Sequence, residues 1–129
     1  MSDPFKVRLV ATDRQIWSGE ASLVSLATLD GETGLMPGHS PLLGILRDGP
    51  VLIRTEEHGD LHAAVHGGFV LVDAGEVIIL AETAELAEEI NIQRAEDLLQ
   101  RALDSTPSDS AKAAQKRAET RIRVAAIKS

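Results

Sequence analysis

All ten glycines of the chain lie at or before Gly75, and none occurs from there to Ser129. Near residue 84 Ala, Glu, Leu, Lys and Arg take over from the β-branched residues. Those replacements favour helix, whereas glycines between short apolar runs mark turns between strands. The chain therefore reads as two kinds of structure in series. Before the switch, Lys6 to Thr12 places Val7, Leu9 and Ala11 against Lys6 and Arg8, the period of a strand with one buried face. Ile16–Trp17 begins a second strand, which Ser18-Gly19-Glu20 is expected to interrupt. Ala21–Leu29, Leu42–Leu46, Val51–Thr55, Leu61–Val65, Phe69–Val72 and Val77–Ala81 follow as further strands. Many short strands at close spacing predict an antiparallel sandwich or barrel.

After the switch, the first helix is predicted to start at about Asn91, a suitable N-cap, with Thr83 as an alternative cap for an earlier start. Ile92, Ala95, Leu99 and Ala102 share one face, widened by Leu98 and Leu103. Asp104 to Asp109, with Pro107, ends this helix and caps the next. Ala111, Ala114, Ala118, Ile122 and Ala125 then line one face of a second helix. Alanine buries little area, so this stripe packs weakly compared with leucine. The expected division is a β-sandwich over residues 1–84 and an antiparallel two-helix hairpin over 85–129.

Charge divides the chain in the same way. Residues 1–110 hold seven Lys or Arg against nineteen Asp or Glu. The tail holds Lys112, Lys116, Arg117, Arg121, Arg123 and Lys128 against Glu119 alone. Such polarity fits a tail that meets an acidic partner or its own acidic sandwich, and equally a solvated helix face. There are no cysteines, so neither disulfides nor thiolate metal sites enter. No apolar run is long enough to span a membrane, and Met1 to Phe5 do not begin a secretory signal, which points to the cytoplasm. Phe5, Trp17 and Phe69 are the only aromatics, too few for a nucleic-acid stacking platform.

Little supports catalysis. No nucleophile elbow or P-loop spacing occurs. His39, His58, His62 and His66 invite a metal, but on a strand His62 and His66 stand about 13 Å apart, too far to share one. We expect no catalytic residue and no metal. Glu85, Glu88 and Glu89 beside Arg94 read as a solvated charge run.

One stretch remains, Asp30-Gly31-Glu32-Thr33-Gly34-Leu35-Met36-Pro37-Gly38-His39-Ser40-Pro41-Leu42-Leu43. Pro37 and Pro41 stiffen it, and its apolar residues suit a surface more than a linker. From the residues alone it is a shaped turn or a docking loop of preset form. It resembles the signature loop of the epsilon subunit of F-type ATP synthases. Val65-His66-Gly67-Gly68-Phe69 and Ile79-Leu80-Ala81-Glu82 resemble two strands of that family, in order and spacing. The similarity covers nearly the whole chain.

The resemblance implies a non-catalytic subunit of a proton-translocating ATP synthase, at the foot of the rotary central stalk. Its sandwich would clamp the gamma subunit through Met36, Pro37, Gly38, His39 and Ser40 and rest on the c-ring through Glu32, at the loop tip. Its second helix would either fold down or extend towards the catalytic alpha and beta subunits and inhibit ATP hydrolysis. The implied location is the cytoplasmic face of the cell membrane, held there only by the complex. Asn91, Arg94, Arg117 and Arg121 match positions of a regulatory ATP site in family members that bind ATP. The family's Asp is Asn91 here, which removes a carboxylate acceptor. Two other classes stay open: a free-standing nucleotide sensor and a β-sandwich adaptor whose helices bind another protein.

Overall fold

The computed structural model describes residues 4–127, so Lys128 of the basic tail lies outside the described residues. Strand β1, Phe5–Ala11, buries Phe5, Val7, Leu9 and Ala11 and exposes Lys6 and Arg8, as the alternation predicts. Strand β2, Gln15–Ala21, continues through Ser18-Gly19-Glu20, where a break was expected. The Trp17 ring explains the glycine: a Cβ on Gly19 would come 2.6 Å from the indole. Gly19 makes room for Trp17 and does not end the strand.

Strands β3, Leu23–Thr28, and β4, Gly31–Leu35, form a hairpin turning at Leu29–Asp30. The Asp30 N–H donates to Thr28 Oγ1, and Gly31 takes φ +121° to enter the return strand. The first third of the signature stretch is therefore strand. Glu32 stands exposed opposite Ala27 on β4, not at a loop tip.

Strands β5, Leu42–Ile45, and β6, Gly49–Arg54, precede the longest strand, β7, Asp60–Asp73. Strand β8, Glu76–Leu86, pairs along most of it. The sequence predicts two strands here, Leu61–Val65 and Phe69–Val72, and the structure joins them into one through Gly67 and Gly68. They lie inside a continuous strand at φ +66° and +110°. A Cβ on Gly68 would overlap the carbonyl oxygen of Leu80, so only glycine lets the two backbones approach this closely.

At this point β7 and β8 exchange faces together. Val70 and Val72 point to the core beyond the glycines, and Ala63 and Val65 before them. The exchange lets each strand serve both layers. One layer runs β2–β1–β8–β7–β5, using residues 76–81 of β8 and 69–72 of β7. The other runs β8–β7–β6–β3–β4, using residues 60–65 of β7. Every named pairing is antiparallel except β1 with β8. Among the described residues the fold is thus a β-sandwich of eight strands followed by two helices. Its core includes Leu9, Leu26, Leu35, Ile53 and Ile79, each fully buried.

After β8 a single 3-10 turn, Ala87–Glu89, leads to helix α1, Ile92–Asp104. Asn91 caps it as predicted, its Oδ1 accepting the Arg94 N–H at 3.0 Å. Thr83 does not start a helix, because Thr83 to Leu86 still pair with β7. Helix α2, Asp109–Ile127, returns against α1 and against β6 and β7. The expected stripe is partly corrected. Ala118 and Ala125 are buried, but Ala114 is exposed, and Thr120 and Val124 are buried instead. Packing on the sheet as well as on α1 widens and rotates the covered arc. A small cluster of Ala64, Ala87, Ile90, Val124 and Ala125 seats the helix on the outer side of the second layer.

Candidate functional site

The first layer's outer face is apolar and open over β5, β7 and β8, and charged over β1, where Arg8 pairs with Glu76. On β5, β7 and β8, residues of one parity fill the core, and residues of the other parity face outward. Strand register lines these up in two rows: Ile45, Phe69 and Leu80 in one, Leu43, Leu71 and Ile78 in the next. Five of the six are exposed, with Leu43 at 71% and Phe69 at 51%. Single exposed apolar residues are common, but a contiguous set across three strands marks an interaction surface. The sequence reading missed this face. Leu42–Leu46 and Phe69–Val72 are apolar on both parities, and such a run does not show which of its sides the fold leaves uncovered.

The signature loop leads straight into this face at Leu43. Met36, Pro37, Gly38, His39 and Ser40 sit together between β4 and β5, and all but Pro37 are exposed. The His39 N–H donates to the Met36 carbonyl at 3.0 Å, closing a turn around Gly38 at φ +87°. The His39 Nδ1 lies 2.6 Å from the Ser40 carbonyl oxygen. Local bonds thus hold the loop in a preset form, with Met36 presented outward.

The hairpin makes a different surface. Between α1, α2 and the sheet edge lies a cleft of about 640 Å³ lined in part by Arg14, Asn91, Arg94 and Arg121. Here the structure brings three of the four residues of the implied ATP site together. Arg117 does not line the cleft: its Nε lies 3.3 Å from Asp48, and its Nη2 reaches only the Glu82 carboxylate at the cleft's edge, at 4.0 Å. Arg121 is paired with Glu85 at 2.7 Å, and Arg14 with Glu89 at 3.1 Å. The Glu89 carboxyl is pushed up by partial burial, but the Leu86 N–H and Arg14 outweigh this and lower its pKa.

These residues do not fit a nucleoside triphosphate in this arrangement. Asp13, Glu82, Glu85 and Glu89 also line the cleft, so carboxylates outnumber guanidiniums around a space meant for a polyanion. The Asn91 Oδ1 is engaged as a helix cap, and Arg121 already has a carboxylate partner.

Of the four histidines, only His66 is buried, at 1% exposure. It shares the helix-facing side of β7 with Ala64, and neither of its ring nitrogens has a hydrogen-bond partner among the described residues. No group of acidic, His or Cys residues among the described residues could hold a metal ion.

Comparison with known proteins places this arrangement. Residues 4–87 match the model of the ATP synthase delta/epsilon chain β-sandwich domain. An ATP synthase epsilon chain of Streptomyces griseus is 52% identical over 99% of this chain and 100% of its own length. One of Rhodococcus opacus is 52% identical over 72% of this chain and 77% of its own. Two solved structures share the fold. A chain of the Euglena gracilis mitochondrial ATP synthase aligns with a TM-score of 0.71 at 21% identity, covering 95% of this chain and 78% of that one. A chain of the Tetrahymena thermophila mitochondrial ATP synthase central stalk and c-ring aligns at 0.63 and 18%, covering 98% and 97%. The chain belongs to the ATP synthase epsilon chain family.

Proposed function

We propose that this chain is the non-catalytic epsilon subunit of an ATP synthase central stalk, coupling rotation of the c-ring to the catalytic sites. The sandwich, which runs through β8 to Leu86 and so two residues past the expected boundary at 84, does the coupling, and the helices beyond it regulate. The observation that carries the reading is the double row of Leu43, Ile45, Phe69, Leu71, Ile78 and Leu80 beside the preset loop. An apolar face of this kind, continuous with Met36 to Ser40, suits a permanent partner in the stalk, the gamma subunit. Glu32, exposed on β4, reaches polar loops of the c-ring. A charged contact of that kind positions more than it binds.

Helix α2 is held to the sandwich by a small apolar cluster and ion pairs. Extended, its basic face meets the alpha and beta subunits and slows hydrolysis. No helix of the described residues is long and apolar enough to cross a membrane. The subunit is held at the cytoplasmic face of the membrane through the complex.

Reconstitution of the enzyme with variant subunits tests both halves. Phe69→Glu places a charge on the outer face without disturbing the core, and the folded variant should lose gamma in a pull-down. Deleting residues 106–129 should leave gamma binding and ATP synthesis intact and raise ATP hydrolysis. Full gamma binding by Phe69→Glu would overturn the docking face, and unchanged hydrolysis by the truncated subunit would overturn the brake.

A further inference from the structure

We propose that His66 is a proton-sensitive latch that holds helix α2 on the sandwich while neutral and releases it when protonated. The inference deepens the regulatory reading of the hairpin and rests on α2 being able to leave its seat.

His66 occupies an unusual position for a histidine. It lies in the middle of a strand, buried, with both ring nitrogens unpartnered among the described residues. A neutral imidazole tolerates this at the cost of lost hydrogen bonds; an imidazolium, with two N–H donors, does not. The charged groups around it do not welcome a cation. From α2, Arg117 and Arg121 act on it as positive charges. From the turn before β6, Asp48 acts the other way, but it is engaged by Arg117 at 3.3 Å. From β8, Glu82 precedes Thr83, the cross-strand partner of His66, and Glu85 lies two residues after it; both are turned to those same arginines. From β6, Gly49 and Pro50 bring no charge.

Burial foremost, and then Arg121, lower the His66 pKa from 6.5 to about 4. The sign follows from linkage. A docked helix keeps the proton off, and lifting α2 exposes the ring and restores its ordinary affinity. The open form therefore binds more protons between pH 6.5 and 4, and docking weakens as pH falls through that window. At a tenfold change per unit of pKa, docking loses on the order of a hundredfold across it.

No cysteine exists in the chain, so a donor and an acceptor can be placed by Glu57→Cys on the sandwich and Arg123→Cys on α2, both exposed. Energy transfer in the full-length labelled chain then reports docking from pH 7.5 to 4.5. The expected result is high transfer at pH 7.5 that falls below pH 6.5 and returns on neutralisation. His66→Leu, and independently His66→Gln, should hold transfer constant over the same range. The second variant serves if the first disturbs the strand. A fall in both variants at the same pH as in the parent would overturn the latch and assign the acid response to the carboxylates. Arg117→Glu with Arg121→Glu, read at pH 7.5, tests the movable hairpin by itself. If that pair opens α2 while the parent ignores pH, only the proton latch fails. If α2 stays closed in every case, the regulatory reading fails with it.

Discussion

The sandwich core and the seat of α2 are held by different physics. The core is closed by Leu, Ile and Val side chains from both layers, with Leu9, Leu26, Leu35, Ile53 and Ile79 fully buried. The seat is closed by three alanines, one isoleucine and one valine. Arg117–Asp48 and Arg121–Glu85 lie beside it, each with partly exposed side chains. Apolar burial scales with area and is not weakened by charge screening, whereas partly exposed ion pairs contribute little each and are screened. One chain thus joins a body that must not yield to an arm whose hold can be changed by salt, charge or protons.

The comparison breaks if the core proves as yielding as the seat. Ile79→Ala removes buried methyl groups from the centre of β8, and should cost about 2–5 kcal/mol. Chemical denaturation of the folded variant reads this directly. A loss no larger than that from a seat substitution would mean the two regions share one stability.

Glycine placement sharpens the contrast within the sandwich. Gly38 and Gly68 both have positive φ, but only Gly68 has backbone in the way of a side chain. Gly38→Val should therefore cost about 1–3 kcal/mol in backbone strain while the protein still folds. Gly68→Val should lower the folded yield far more. Circular dichroism of the two variants separates them, and equal thermal midpoints would show that local φ, not strand approach, governs both.

At the seat the expected effects are smaller. Arg121→Ala removes the partner of Glu85 and should weaken docking by no more than about 1 kcal/mol. The loss should shrink as salt rises, because the parent pair is itself screened. Energy transfer between the sandwich and α2 at low and at high salt checks this. An Arg121→Ala deficit that persists undiminished at high salt would assign the contribution of Arg121 to packing.

Much of this architecture was legible in residue order. Period-two alternation marked β1, and Asn91 marked the start of α1. What stayed hidden depended on contacts between distant residues. Gly19 read as a break because the Trp17 ring that needs the space is invisible without the strand. Leu61–Val65 and Phe69–Val72 read as two strands because nothing in the sequence shows Leu80 across the ladder from Gly68. The outward rows on β5, β7 and β8 need the register of three strands before they become a surface. His66 is one of four histidines in the sequence, and only the fold shows that it is the buried one. Met36 to Ser40, by contrast, were legible as a unit because two prolines and one glycine fix the loop locally.

The smallest effect expected is at Glu32, and it tests whether the sandwich meets the c-ring by charge. Glu32 is exposed on β4, opposite Ala27 of β3. An exposed carboxylate adds little affinity, but a charge at a polar contact orients the encounter. Glu32→Gln keeps the shape and removes the charge. Proton pumping driven by ATP in reconstituted membranes should fall modestly at low salt, and the difference from the parent should vanish at high salt, where the parent's own advantage is screened. If the two subunits pump equally at every ionic strength, Glu32 is a solvated strand residue, and the contact with the ring must be sought at the Leu29–Asp30 turn beside it.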